Sequence, residues 1–254
     1  MFAVIGDVHG CVRTLEELLS KLLKNYNVEN FVFVGDLVDR GGYSKEVLDL
    51  VIDFSKSYEC KFLLGNHEDM MVDYFEGTNR YHKGDWFYNG GKETIKSFDS
   101  DLYKKLLLEV DIKDDFIKKY DNYLEFIKGF DKYTIIDGIE NYFISHAGCL
   151  SVEIAPQFHI DLVTEEEKKI LFPYIWAREI DFYNKKIENY VIIHGHTPVM
   201  KIERGYRPFV NKDEMGNMIS INIDTGCVYG YFLSALIMDE KSGEYDFEVV
   251  DCID

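Results

Sequence analysis

Short apolar runs, each stopped by a glycine and a polar residue, punctuate the first 70 positions of the chain. Phe2, Ala3, Val4 and Ile5 end at Gly6-Asp7; Phe31, Val32, Phe33 and Val34 end at Gly35-Asp36; Phe62, Leu63 and Leu64 end at Gly65-Asn66-His67. Runs this short, rich in β-branched and aromatic residues, read as buried strands. Between them Leu15, Leu18, Leu19, Leu22 and Leu23 repeat at helical spacing, as do Val47, Leu48, Leu50, Val51 and Phe54. Strand alternating with helix predicts right-handed βαβ units, a mostly parallel sheet and an α/β fold. In such sheets functional groups gather at the carboxyl ends of strands, where these polar residues stand.

Residues 76–130 have a different character, rich in Lys, Asp and Tyr. Leu102, Leu106 and Val110, and then Phe116, Tyr120, Tyr123 and Ile127, predict helices, so the segment reads as a helical insertion in a single domain spanning residues 1–254. Beyond it, residues 133–136 and 142–145 flank Asp137-Gly138, a hairpin signal. Further strands are expected at 190–193, 219–223, 231–238 and 245–250. No internal repeat interrupts this order.

Composition narrows the partners. Hydrophobic residues make up 46% and aromatics 15% of the 254 residues, which suits a globular core and excludes a disordered chain. The net charge of −18 repels polyanions, so nucleic acid is not expected as a partner. A phosphate substrate would need a local reversal of that sign. The 5 Cys are scattered, and Cys11, Cys149 and Cys227 beside motif glycines read as small buried packing residues. With no paired-cysteine motif, no signal-like start and no membrane-length apolar run, the expectation is a cytoplasmic protein with no membrane partner.

The strand-end residues form one chemical set: Asp7 and His9; Asp36, Asp39 and Arg40; Asn66, His67 and Glu68; His146; His194 and His196. Five of the 7 His belong to it. Imidazole, carboxylate and amide oxygen without thiolate suit two divalent ions of the Mn, Fe or Zn type, and one carboxylate can bridge such a pair. Taken singly, an Asp-x-His is ordinarily a turn and Gly-Asn-His-Glu a helix start. Five such fragments, each following an apolar strand, point to a shared site.

In this order Asp-x-His-Gly, Gly-Asp-x-Val-Asp-Arg-Gly, Gly-Asn-His-Glu, a late His and Gly-His-Thr resemble the phosphoprotein phosphatase family of calcineurin-like metallophosphoesterases, in its bacterial and phage members. The likeness spans residues 5 to about 226. The segment Trp86-Phe87-Tyr88-Asn89-Gly90-Gly91-Lys92-Glu93-Thr94 resembles a stretch of bacterial protein phosphatases of this type. The resemblance implies a two-sheet β-sandwich flanked by helices, with two divalent metal ions, manganese first and iron or zinc as alternatives. It implies that Asp7 and His9 bind the first ion, that Asp36 bridges, and that Asn66, His146 and His196 complete the second. It further implies in-line attack by a hydroxide shared between the ions, His67 as general acid oriented by Asp39, and Arg40 and Arg178 as phosphate clamps. Many relatives carry Arg directly before Gly-Asn-His-Glu; here that position is Leu64. His194 precedes Gly-His-Thr by two from His196 and could share its side of a strand. Asp224-Thr225-Gly226 reads as structural support.

Three functions follow in order. The first is a serine/threonine protein phosphatase acting on a phosphorylated protein or peptide. The alternative is a symmetrical dinucleoside polyphosphate (diadenosine tetraphosphate) hydrolase, disfavoured by the −18 charge with two matched arginines to offset it. Tyr81, Trp86, Phe87, Tyr88 and Phe98 could form its base slot, although aromatics in such a segment are more often core. A non-catalytic metal-binding scaffold comes last, because it has no use for His67, Asp39 and Arg40.

Overall fold

The computed structural model describes residues 1–82, 84–148, 173–178 and 190–254. Two five-stranded sheets face each other. The first runs β10-β9-β1-β2-β3, built from β1 (Phe2–Ile5), β2 (Asn30–Phe33), β3 (Glu59–Phe62), β9 (Phe232–Met238) and β10 (Tyr245–Asp251). The second runs β4-β5-β6-β8-β7, from β4 (Tyr133–Ile136), β5 (Asn141–Ser145), β6 (Tyr190–His194), β7 (Phe209–Lys212) and β8 (Met218–Asn222). This is the two-sheet α/β sandwich the resemblance implied.

Strand alternation explains the layering. Phe2, Val4, Val32 and Leu236 point to the inner face and meet Tyr142, Ile144, Val191, Ile193 and Ile221 of the opposite sheet. Their neighbours Ala3, Ile5, Phe31 and Phe33 point outward, against Leu15, Leu18 and Leu22 of α1 (Val12–Asn25) and Val47 and Val51 of α2 (Ser44–Phe54). Strands with both faces buried must be apolar at every position, which is why they read as continuous runs. The helices α4 (Lys92–Phe98), α5 (Ser100–Leu107) and α6 (Lys113–Lys128) add Ile95, Phe98, Leu102, Phe116 and Ile127 to that outer cluster.

Several expectations are corrected. The sheets are not mostly parallel: each has two parallel and two antiparallel pairings, because β9, β10, β4 and β7 return alongside the parallel strands. The third strand lies at Glu59–Phe62 rather than at 62–64; as an edge strand it tolerates exposed Glu59 and Lys61. Val110 falls outside α5, which stops at Leu107; Glu109 takes a left-handed φ of 58° and leaves Val110 exposed. Strand β7 was not expected, since this edge strand pairs only with β8 and carries two apolar residues in four. Cys149 lies outside the described residues.

Candidate metal centre

The carboxyl ends of β1, β2, β3, β5, β6 and β8 converge, and the site residues sit on the turns that leave them. These turns are sharp. His9, Asp36, Asp39, Arg40 and His196 all have φ between 47° and 71°, a region that costs an L-residue roughly 1 kcal/mol or more and persists only where surroundings enforce it. A Cβ on Gly195 would lie 1.9 Å from Asp7 Oδ1, so glycine is needed there for the backbone to approach that carboxylate.

Asp36 is the hub. Its Oδ2 lies 3.3 Å from His9 Nε2 and its Oδ1 3.4 Å from His146 Nε2. Two ligand-like groups therefore share it: His9, Asp36 and His67 on one side, and Asp36, His146 and His196 on the other. Asn66 Oδ1 stands 3.0 Å from His146 Nε2 and 2.9 Å from His196 Nδ1, so the amide belongs to the second group. Asp7 joins from beneath, its Oδ2 accepting the His196 backbone N–H at 3.0 Å while Oδ1 is buried without a partner.

The tautomers are fixed by backbone. His9 Nδ1 donates to the Val38 carbonyl at 2.8 Å and His146 Nδ1 to the Val34 carbonyl at 3.0 Å; a carbonyl can only accept, so each Nε2 keeps its lone pair for an ion. Burial pushes the imidazolium forms of His9 and His146 down to about 4. Burial works to raise Asp36 too, but His146, His67 and His9 around it hold its carboxyl well below the usual range. Asp7 is pushed well up, first by burial and then by Asp224 and Asp36. Three crowded buried carboxylates, neutral imidazoles whose Nε2 atoms face the cluster and an orphaned oxygen are what divalent cations would satisfy. The donor set fits.

Glu68 holds this arrangement from behind. Fully buried, it accepts backbone N–H groups from Asp36 (2.8 Å) and Gly65 (3.1 Å) on Oε2, and from Leu37 (2.7 Å) and Val38 (3.2 Å) on Oε1. The motif named Glu68, but this role comes only from the turn folding over α3 (Asn66–Glu76).

His67 and Asp39 form a buried pair, Nδ1 to Oδ2 at 2.7 Å, leaving His67 Nε2 without a hydrogen bond, 3.9 Å from Asp36 Oδ2. Burial is the main influence on both, pushing His67 down to about 4 and Asp39 up to about 8. Asp39 is pinned by Trp86 Nε1 (3.0 Å) and Thr94 Oγ1 (2.6 Å). The Arg40 N–H donates to the Gly90 carbonyl at 3.4 Å, and a Cβ on Gly90 would lie 2.6 Å from Arg40 N. The Trp86-to-Thr94 segment thus positions Asp39 and Arg40, a role that its resemblance did not assign to it.

Arg40 Nη1 reaches His9 Nε2 at 2.5 Å. Arg178 is exposed, donates to Thr197 Oγ1 at 3.1 Å, and its charge adds to the effects holding His196 well down, after burial and His146. Both arginines therefore flank the clusters. Leu64 packs among apolar side chains. His194 ends β6, buried, with Nδ1 3.0 Å from the Gly195 carbonyl, and belongs to neither ligand group. The two-residue alternation with His196 breaks because His196 has already left the strand in a left-handed turn. Asp224 is buried and caps its own turn by accepting the Gly226 N–H at 3.0 Å. Of the aromatics weighed as a base slot, Trp86 and Phe98 are buried core while Tyr88 is fully exposed.

Residues 1–224 match the family model described as calcineurin-like phosphoesterase, and the chain belongs to that family. It is 32% identical, over 94% of its length and 88% of the relative's, to a protein of Oceanobacillus iheyensis named bis(5'-nucleosyl)-tetraphosphatase PrpE (asymmetrical). A protein of the same name from Anoxybacillus flavithermus is 28% identical over 93% of this chain and 89% of its own. Among solved structures, a Saccharomyces cerevisiae protein serine/threonine phosphatase is 15% identical with a TM-score of 0.57, covering 100% of this chain and 80% of its own. A cold-active protein tyrosine phosphatase is 18% identical with a TM-score of 0.56, covering 97% and 78%. At such identities the structures speak for the fold alone.

Proposed function

We propose that this protein is a dimetal phosphoesterase that hydrolyses a dinucleoside polyphosphate. The observation that carries the hydrolase is the pair of ligand-like groups sharing buried Asp36, with His67, a member of the first, turned by its bond to Asp39 toward work as an acid rather than as a ligand. The choice of substrate draws on the near full-length likeness to proteins named as tetraphosphatases, and it reverses the order of preference drawn from the sequence. Those names also specify asymmetrical cleavage, where the sequence reading considered the symmetrical kind.

Asp7, His9 and Asp36 would hold one ion, and Asp36, Asn66, His146 and His196 the other. When bound, the ions supply Lewis acidity and a water of lowered pKa. The chain's own groups do the remainder. Arg40 and Arg178 grip the non-bridging phosphoryl oxygens and orient phosphorus for in-line displacement. His67 Nε2 delivers a proton to the leaving oxygen, and Asp39, on the far side of the ring, stabilises the imidazolium from which that proton departs. Trp86 and Thr94 keep Asp39 from turning away.

A second reading, hydrolysis of phosphoserine or phosphothreonine, is favoured by the Trp86-to-Thr94 segment, which resembles that of bacterial protein phosphatases. One experiment separates the two: kcat/KM with Mn²⁺ for diadenosine tetraphosphate and for a phosphopeptide, with the nucleotide products resolved. ATP plus AMP as the favoured products supports the proposal; two ADP would indicate symmetrical cleavage. A phosphopeptide preferred by more than ~10-fold, about 1.4 kcal/mol of transition-state binding, overturns the substrate assignment.

A further inference from the structure

The cations and aromatics beside the metal centre outnumber what one phosphoryl group requires. Tyr229, 42% exposed, lies on the turn that follows Asp224. Its ring has Lys201 Nζ 4.4 Å from the centroid and Arg40 Cζ 5.9 Å away, and Lys201 Nζ also donates to its hydroxyl at 3.0 Å. Lys201 and Arg40 therefore share the Tyr229 ring, which sets Lys201 beside the arginine of the metal centre. The neighbouring segment continues the pattern. Tyr206, 53% exposed, stacks on Tyr231 at 5.0 Å, and Arg207 Cζ lies 4.3 Å from the Phe232 centroid.

Residues 201–207 carry Lys201, Arg204 and Arg207 against a single carboxylate, Glu203, in a chain of net charge −18. By contrast Arg13 is tied to Asp254, and Arg80 to Asp69 and Asp73. Among the described residues Arg40, Lys201 and Arg207 make no ion pair within 4.0 Å. In so acidic a chain, cations left without carboxylates beside exposed aromatic rings form a local field suited to an extended anion bearing a π-face.

We propose that Lys201, Arg207 and Tyr229 form a shelf next to the metal centre that holds the distal phosphates and one base of a nucleoside polyphosphate. The inference rests on the substrate reading above and specifies how that substrate is held. Arg40 links the two parts: it grips the reacting phosphoryl group and faces the Tyr229 ring that starts the shelf. A single phosphomonoester needs no cation beyond the centre, so Lys201 and Arg207 have work only where further phosphates follow. The shelf also answers the charge objection to a polyphosphate, because the fold adds cations to the two arginines identifiable by motif.

The test compares kcat/KM for diadenosine tetraphosphate with that for p-nitrophenyl phosphate in the wild type, Lys201→Met, Arg207→Met and Tyr229→Ala. Each lysine or arginine variant should lower the tetraphosphate-to-nitrophenyl ratio about 10-fold and make it less dependent on salt, and Tyr229→Ala should lower it about 5-fold. Methionine keeps the length of the side chain, and matched melting temperatures exclude misfolding. If the wild type cleaves the tetraphosphate but every variant keeps the ratio within twofold, the shelf is wrong and the substrate reading stands. If the wild type cleaves p-nitrophenyl phosphate and not the tetraphosphate, the substrate reading fails. Calorimetry with inorganic tripolyphosphate then decides the shelf: weaker binding by Lys201→Met supports it, and equal binding overturns it.

Discussion

Carboxylates and cations are abundant in two regions, the strand-end centre and the helices α4 to α6, and they behave in opposite ways. On the helices the charges lie at the surface in pairs such as Lys104 with Asp101 and Lys119 with Asp99, each a small gain in water. At the strand ends Asp7, Asp36, Asp39 and Glu68 are buried, Asp36 and Asp39 take left-handed turns, and the imidazoles beside them are held neutral. The same residue types stabilise one region by local pairing and in the other form an arrangement that ions must complete. Burial makes the difference, since removing a charge from water costs far more than a surface pair returns.

Substituting the hub should give the largest effect. Asp36→Asn removes the carboxylate both groups share; activity should fall by more than ~10³-fold, and elemental analysis should find less than one ion per chain. Retention of two ions and of activity would break the account of the centre. Next comes the acid. His67→Asn should lower kcat by ~10²–10⁴-fold on a substrate with a poor leaving group, and by less on p-nitrophenyl phosphate, whose leaving group hardly needs a proton. Trp86→Phe, which removes one donor to Asp39 and keeps most of the packing, should show the same leaving-group pattern at about 10-fold. An equal loss on both esters would mean that Trp86 acts through packing alone.

Chelation sharpens the contrast through stability. Each ion present at ~100 times its dissociation constant stabilises by about 2.7 kcal/mol, so losing one should lower Tm by roughly 5–10 °C and losing both by roughly twice that. An unchanged Tm would show that the buried carboxylates do not depend on the ions. The smallest effect belongs to the helices. Asp99 accepts the N–H groups of Asp101 and Leu102 at the start of α5, and Asp99→Ala should cost about 1 kcal/mol with kcat/KM unchanged. The bond from Lys119 is the main cause holding the Asp99 carboxyl down at about 2, from an ordinary value of 3.8. The folded state therefore binds that proton later than the unfolded chain. Its contribution is complete above pH 4 and is lost as pH falls toward 2, so the Tm gap between wild type and Asp99→Ala should close over that interval.

Strands with two buried faces were legible in the chain's order of residues, because such strands must be apolar at successive positions, and so was the standing of Asp7, Asp36, Asn66, His146 and His196 at strand ends. That order also carried the glycine punctuation that sharp turns need. Edge strands β3 and β7 were misplaced or missed because one-sided burial leaves no continuous run to read. Folding alone brings together residues distant in the chain. Glu68 gathers N–H groups from around Asp36, Trp86 and Thr94 reach Asp39 across about 50 positions, and Lys201 meets Tyr229. No local periodicity encodes such meetings. They arise where six strands end together, and burial there turns ordinary Asp, His and Arg into a centre built to take ions and phosphate.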